Sequence, residues 1–211
     1  MSAEILKADA TGIARAIQLL REGAVTLLPT ENVYGFFVNG DYPESVQRVC
    51  DIKHRDAHKP FVLFVTKSTC AQYGHLTAEA SRIVQACWPA PVSVVVKKTD
   101  RITPDLTRGL DTVAMMCVES VVIRRVCEAV EAPVFGTTCN YSGEPEIKTS
   151  KVAIEQFADR VDLIVEGDHL IRFGKPSTIV DFTVAPPKVI RHGGIPAQEL
   201  RDKYLPNLSW Q

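Results

Sequence analysis

The sequence predicts an α/β domain, and three observations carry that prediction. Short apolar runs alternate along the chain with segments whose apolar residues recur at helical spacing. Several runs, 61–65 and 113–118 among them, are apolar throughout rather than at every second position, as in strands covered on both faces. The 211 residues are 45% hydrophobic, which supplies one core, so the chain reads as a single domain over 1–211 and neither disordered nor a disulfide scaffold.

Residues 11–23 give the clearest helix: Thr11 stands where a cap is needed, Ile13, Ile17 and Leu20 share one face, and Gly23 stops it. A strand over 24–28 is closed by Pro29. A helix near 43–52, a strand at 61–65, a helix over 77–87 and a strand at 92–96 come next. Strands at 113–118 and 134–137 flank a helix at 121–130, and a helix at 151–157 precedes a strand at 161–165. Two late strands, 178–182 and 189–191, lead to a short helix around 197–204. No repeat or linker interrupts the series. Turn-forming residues are densest at 140–145 and 174–176, each between apolar runs, where binding loops tend to lie.

The 24 basic and 25 acidic residues give no bulk positive field, so direct nucleic-acid binding is not expected and any anion site must be local. No apolar run reaches the roughly 18 residues of a membrane span, and the first residues lack an export signal, so a cytoplasmic protein with no membrane partner is expected. Six cysteines show no C-x-x-C and no zinc-like pairing with histidine; they read as reduced core thiols, and no metal ligands are assigned.

In open α/β sheets ligands gather where polar, turn-forming segments leave a strand. Five segments qualify: Pro29-Thr30-Glu31-Asn32-Val33-Tyr34-Gly35, Lys53-His54-Arg55-Asp56-Ala57-His58-Lys59, Thr137-Thr138-Cys139-Asn140-Tyr141-Ser142-Gly143, Lys175-Pro176-Ser177-Thr178 and Arg191-His192-Gly193-Gly194. The basic run reads either as a phosphate or carboxylate clamp or as cations complementing a helix C-terminus. The Thr138 segment reads either as an anion-binding nest or as an ordinary Asx turn. Thr30 and Tyr34 serve equally as turn and core residues, and Ser177 and Arg191 as strand ends. None of the five decides the matter alone.

Their order does more. The succession Pro-Thr-Glu-Asn-Val-Tyr-Gly, Lys-x-Arg, Trp88-Pro89-Ala90-Pro91, Asn-x-Ser-Gly, Pro-Ser-Thr-Ile-Val-Asp and Ile-Arg-His-Gly-Gly closely resembles the YrdC/Sua5 family over about residues 10–195. The resemblance implies a twisted mixed sheet with flanking helices around a positively charged cavity. It implies ATP-dependent synthesis of L-threonylcarbamoyl-AMP from threonine, bicarbonate and ATP, with Mg²⁺ and release of pyrophosphate, toward the N6-threonylcarbamoyl modification of tRNA adenosine. Carried over by motif, Lys53 and Arg55 are the expected catalytic pair. Lys53, Thr138, Asn140, Ser142 and Arg191 are expected on the nucleotide, and Thr30, Tyr34, Arg55, Lys59 and Ser177 on the amino-acid substrate. The chemistry is then electrostatic and positional, with no covalent nucleophile, so Cys139 needs no catalytic role.

One departure bears on the substrate. Where the family shows an apolar strand ending in Arg-x-Pro, this chain has Val113-Ala114-Met115-Met116-Cys117-Val118-Glu119, so Met116 stands at the Arg position and Val118 at the Pro position. Glu119, Arg124 and Arg125 are the nearby charges. Asn32 for Thr, Ala90 for Gly and Thr138-Cys139 for Ser-Ala are milder changes. The same resemblance therefore leaves a specialised relative that adenylates another carbamate, or makes carbamoyl-AMP from carbamoyl phosphate, and a non-catalytic RNA-binding module. For either enzyme, a separate downstream transferase is expected to accept the labile product.

Overall fold

The apolar runs join one mixed sheet of eleven strands in the computed structural model, which describes residues 2–54 and 60–209. In chain order the elements are β1 (Glu4–Lys7), α1 (Ala10–Arg21), β2 (Thr26–Pro29), β3 (Tyr34–Asn39), α2 (Pro43–Lys53), β4 (Val62–Phe64), β5 (Gly74–His75), α3 (Ala78–Ala86), β6 (Val92–Lys98), β7 (Thr112–Met116), α4 (Val121–Ala129), β8 (Val134–Thr138), α5 (Ser150–Phe157), β9 (Leu163–Glu166), β10 (Thr178–Asp181), β11 (Lys188–Arg191) and α6 (Ala197–Lys203). The strands lie in the order β1-β9-β2-β3-β8-β4-β7-β6-β10-β11, with β5 attached to β6. Parallel pairs (β1 with β9, β9 with β2, β4 with β7, β6 with β10) are mixed with antiparallel ones, as the predicted α/β class allows.

Three of these strands escape the sequence reading. β1 is four residues at the sheet edge and largely exposed, so it has no apolar run to betray it. β5 is only two residues long. β3 is buried throughout and follows β2 after a turn, residues 30–33, that contains neither glycine nor proline; without that punctuation the segment reads as a loop. The first helix is also capped two residues earlier than expected. Asp9, not Thr11, is its N-cap, the carboxylate accepting from the Thr11 and Gly12 N–H groups at 3.0 Å each.

Side chains alternate across a strand, and here the alternation separates two cores. Leu27, Phe36, Leu63, Met115 and Phe135 join one buried cluster with Val46 and Val49 of α2, Ile83 of α3 and Phe157 of α5. Their neighbours Leu28, Phe37, Met116 and Val134 join the other, with Ile13 and Leu20 of α1 and Val122 and Val126 of α4. The helices therefore cover both faces. No helix among the described residues is long and apolar enough to cross a membrane, and the six cysteines carry free thiols.

Candidate active site

Beyond the reach of α1 and α4, the second face of the sheet is the floor of a cavity of about 630 Å³, inside the roughly 300–1,000 Å³ range of small-molecule sites. Alternate residues of four neighbouring strands supply it: Gly35 and Phe37 of β3, Gly136 and Thr138 of β8, Val62 and Phe64 of β4, Ala114 and Met116 of β7. Register fixes this set, since Gly35 lies opposite Thr138, Phe37 and Val62 opposite Gly136, and Phe64 opposite Met116. Gly136 is required there. A Cβ on it would stand 2.8 Å from the Phe64 ring and 3.0 Å from that of Phe37, which pack edge to face at 4.8 Å.

The first wall is the turn between β2 and β3, which brings Thr30 and Asn32 to the cavity. Its geometry comes from Thr30: the hydroxyl donates to the Val33 carbonyl at 2.8 Å and accepts from the N–H groups of Asn32 and Val33 at 3.0 and 3.2 Å. Glu31, 1% exposed, turns away from the cavity. Its carboxylate accepts the Glu119 and Ser120 N–H groups at 3.1 and 3.2 Å, just ahead of α4, where the helix field favours an anion. Burial holds its carboxyl above the usual carboxylate range. Tyr34 points its hydroxyl at Asp168, donating to Oδ1 at 2.7 Å and accepting the Gly167 N–H at 2.8 Å.

The Glu31 shift gives a pH prediction. Because the folded state binds this proton more tightly than the unfolded chain, stability falls as pH rises from the ordinary value of 4.5 toward the raised one. Glu31→Gln is expected to abolish that contribution, so the urea midpoint of the variant gains on that of the natural protein as pH rises above 4.5. A gap independent of pH overturns the assignment.

The second wall is the loop after β8. Lys53, at the end of α2 and 1% exposed, sits behind it. Its ammonium donates to the carbonyls of Thr138 and Asn140 at 2.5 and 2.7 Å and to Asn140 Oδ1 at 2.9 Å. Asn140 Oδ1 also accepts from the Thr138 hydroxyl at 2.8 Å, and its amide donates to the Glu144 carbonyl at 2.6 Å. Lys53, Asn140 and Ser142, expected on the nucleotide, thus stand apart from the cavity lining, of which Thr138 is part. Lys53 and Asn140 shape the loop from behind; Ser142 is exposed, its N–H on the Lys53 carbonyl at 2.9 Å. Burial pushes the Cys139 thiol up, so it stays protonated near neutral pH.

The third wall joins β6, β10 and β11. The Arg191 guanidinium donates to the Ser177 carbonyl at 3.0 Å and to its hydroxyl at 2.9 Å, and the Ser177 hydroxyl lies 2.8 Å from that of Ser93. Gly193 permits this junction: a Cβ there would stand 2.3 Å from the Ser177 carbonyl carbon. Pro91 of the Trp-Pro-Ala-Pro element accepts the Thr178 N–H at 2.9 Å, tying a fourth motif to the same place. Arg191 is the one cation and Asp181 the one carboxylate in the lining among the described residues. Arg55 and Lys59, the other expected substrate contacts, lie outside the described residues.

Met116 closes the floor, 3% exposed. Among the described residues no neighbouring cation takes the place of the expected Arg. Glu119 forms an ion pair with Arg172, and Arg124 and Arg125 are on the exposed face of α4. No group of three or more His, Cys, Asp or Glu side chains that could hold a metal ion assembles among the described residues.

A family model described as "Telomere recombination", covering Sua5, YciO and YrdC proteins, matches residues 18–193. The chain belongs to the Sua5/YciO/YrdC family. The threonylcarbamoyl-AMP synthase of Pyrococcus abyssi is 29% identical over 187 residues, 88% of this chain and 55% of that protein. The chain thus spans about half the length of that curated relative. The Vibrio cholerae protein of the same name is 32% identical over 174 residues, 80% of this chain and 92% of its own. Among solved structures, P. abyssi Sua5 complexed with L-threonine superposes with a TM-score of 0.92 at 26% identity, over 100% of this chain and 63% of that one. Escherichia coli YciO shares the fold, with a TM-score of 0.81 at 23% identity over 92% of this chain and 96% of its own. These likenesses bear out both the family resemblance and the mixed sheet with flanking helices read from the sequence.

Proposed function

We propose that this chain forms a carbamoyl-adenylate, L-threonylcarbamoyl-AMP, from threonine, bicarbonate and ATP, with release of pyrophosphate, as a step toward a threonylcarbamoylated tRNA adenosine. What carries the reading is the convergence of Thr30, Thr138, Ser177 and Arg191 on one cavity of nucleotide size in a chain matched to the family over 18–193. Threonine's amine and bicarbonate give the carbamate and water. A carbamate oxygen then attacks the α-phosphorus of ATP, and the bond from that phosphorus to the bridging oxygen breaks as pyrophosphate leaves.

Such a step asks the protein for orientation, dryness and a countercharge more than for a nucleophile. Arg191 supplies charge held in a fixed plane by Ser177, with Arg55 and Lys59 proposed beside it. Thr138 is the proposed nucleotide contact on the loop that Lys53 and Asn140 hold, with Ser142 at its exposed end. The apolar floor limits water around the carbamate, which loses CO₂ on protonation. Mg²⁺ is proposed to arrive on the ATP phosphates, its usual mode of binding in such sites. The product is labile, so a separate transferase is the proposed partner.

The test is pyrophosphate release from ATP by the purified chain across a panel of amino acids with bicarbonate, and with carbamoyl phosphate in parallel. Threonine and bicarbonate together are expected to drive turnover. Release with carbamoyl phosphate alone would favour the second reading, carbamoyl-AMP synthesis, for which the uncharged Met116 floor is the specific observation. No release with either overturns adenylation. Restoring the family cation, Met116→Arg, is expected to change the ratio of kcat/KM between amino acids by at least about tenfold, about 1.4 kcal/mol. An unchanged ranking rejects Met116 as a determinant.

A further inference from the structure

A second cavity, of about 410 Å³ and also within the size range of small-molecule sites, lies between the segment that follows β4 and the end of α4. The proposed reaction does not use it. Phe64 lines both cavities, and its ring packs edge to face on Phe37 in the floor of the first. Tyr73 marks the second cavity as a binding site. It belongs to the lining and is 8% exposed, yet its hydroxyl has no hydrogen-bond partner among the described residues. Buried hydroxyls are nearly always paired, and burial holds this phenol above its ordinary value, so it keeps its proton and can donate it.

The neighbours of that hydroxyl define the ligand. The Arg101 guanidinium sits over the Tyr73 ring, 5.5 Å from its centre, and donates through Nη1 to Gln72 Oε1 at 3.0 Å. Its other N–H groups are unengaged among the described residues. A fixed guanidinium beside a phenolic donor suits a carboxylate. The end of α4 contributes the opposite charge. Glu128 stands in its last turn and Glu131 two residues beyond it, and that turn has no basic residue, although a helix C-terminus favours cations. Neither carboxylate, nor Arg101, enters an ion pair among the described residues. Charges of both signs, left uncompensated in one lining with the apolar Phe64, call for a ligand that carries both. We propose that the second cavity binds a small zwitterion, its carboxylate on Arg101 and the Tyr73 hydroxyl and its ammonium on Glu128 and Glu131, and that the occupant acts on the reaction cavity through the shared Phe64 ring.

The test is calorimetric binding of L-phenylalanine, L-leucine and glycyl-L-phenylalanine to the purified chain, with phenethylamine and 3-phenylpropionate as analogues that keep one charge each. The proteins are the natural one, Arg101→Gln, Tyr73→Phe and the double variant Glu128→Gln with Glu131→Gln. Arg101, Glu128 and Glu131 are exposed and Tyr73→Phe removes only an unpaired hydroxyl, so all are expected to fold. At least one zwitterion is expected to bind, and each variant to weaken it by at least about tenfold. The one-charge analogues are expected to bind at least about tenfold more weakly than L-phenylalanine. No binding by any of the three zwitterions, or binding that the variants leave unchanged, overturns the site. For the link through Phe64, a saturating zwitterion is expected to change the Kd for ATP by at least about fivefold in the natural protein and not in Arg101→Gln, and ATP to change the Kd of the zwitterion by the same factor. A Kd for ATP that the bound zwitterion leaves unchanged overturns that link. Failure of ATP to bind at all counts against adenylation, while the zwitterion titrations still decide the site.

Discussion

Lys53→Met is expected to lose about 1–3 kcal/mol of stability and at least about tenfold in pyrophosphate release. The buried ammonium gathers two carbonyls and one amide oxygen from a loop that would otherwise turn three acceptors into the protein interior. Removing the cation while keeping most of its stem over the Phe36 ring takes the Lys53 donor from the two carbonyls and leaves Asn140 Oδ1 with the Thr138 hydroxyl alone, and a buried group that has lost its partner pays its desolvation. The loop then loses the geometry that sets Thr138 in the cavity wall, so catalysis falls through position. Urea midpoints give the first effect. Turnover measured well below both melting temperatures gives the second, with the KM for ATP rising and the KM for the amino acid held. A variant of natural stability, or one whose folded form turns over at the natural rate, refutes this role.

Arg191→Ala is expected to raise the KM for ATP by at least about tenfold, in line with about 1.5–3 kcal/mol for hydrogen bonds to a charged group. The guanidinium is half-buried and aligned by two hydrogen bonds to Ser177, so its charge and its plane are set before a nucleotide arrives. Arg191→Lys keeps the charge without the fork and is expected to recover only part of the loss. Repeating the nucleotide titration at higher salt should narrow the gap between Lys and Ala more than that between Arg and Lys, since screening acts on charge and not on planarity. Equal KM values for all three proteins would remove Arg191 from the nucleotide site.

Much of the architecture is legible in the residues because apolar periodicity is a local signal. The helices at 43–52, 77–87 and 121–130 and the runs at 61–65, 92–96 and 113–118 fall within a few residues of α2, α3, α4, β4, β6 and β7. β3 is lost because the turn before it is built from Thr30 rather than from glycine or proline, and Asp9 displaces Thr11 because an N-cap is chosen by which carboxylate meets two N–H groups in space.

The site divides differently. Motif order groups Ser177 with Arg191, and the two side chains meet in the structure. Asn32, noted only as a mild departure, lines the cavity with a buried, unpaired acceptor, whereas Thr30 and Tyr34, two residues either side of it, have their hydroxyls engaged elsewhere. The signal that could have singled it out was present: an amide where a hydroxyl is usual, beside a missing cation.

What the sequence determined by itself is the alternation of elements, the two-faced burial of the sheet and, through the order of its motifs, the family. Those properties depend on neighbours along the chain. Which polar groups face the cavity depended on partners brought from far away: Asp168 for Tyr34, Thr138 and Asn140 for Lys53, Ser177 for Arg191. Strand side chains alternate with a period of two, so register alone sends Phe37, Phe64 and Met116 to the cavity and Phe36, Leu63 and Met115 to the core, and register is a property of the assembled sheet.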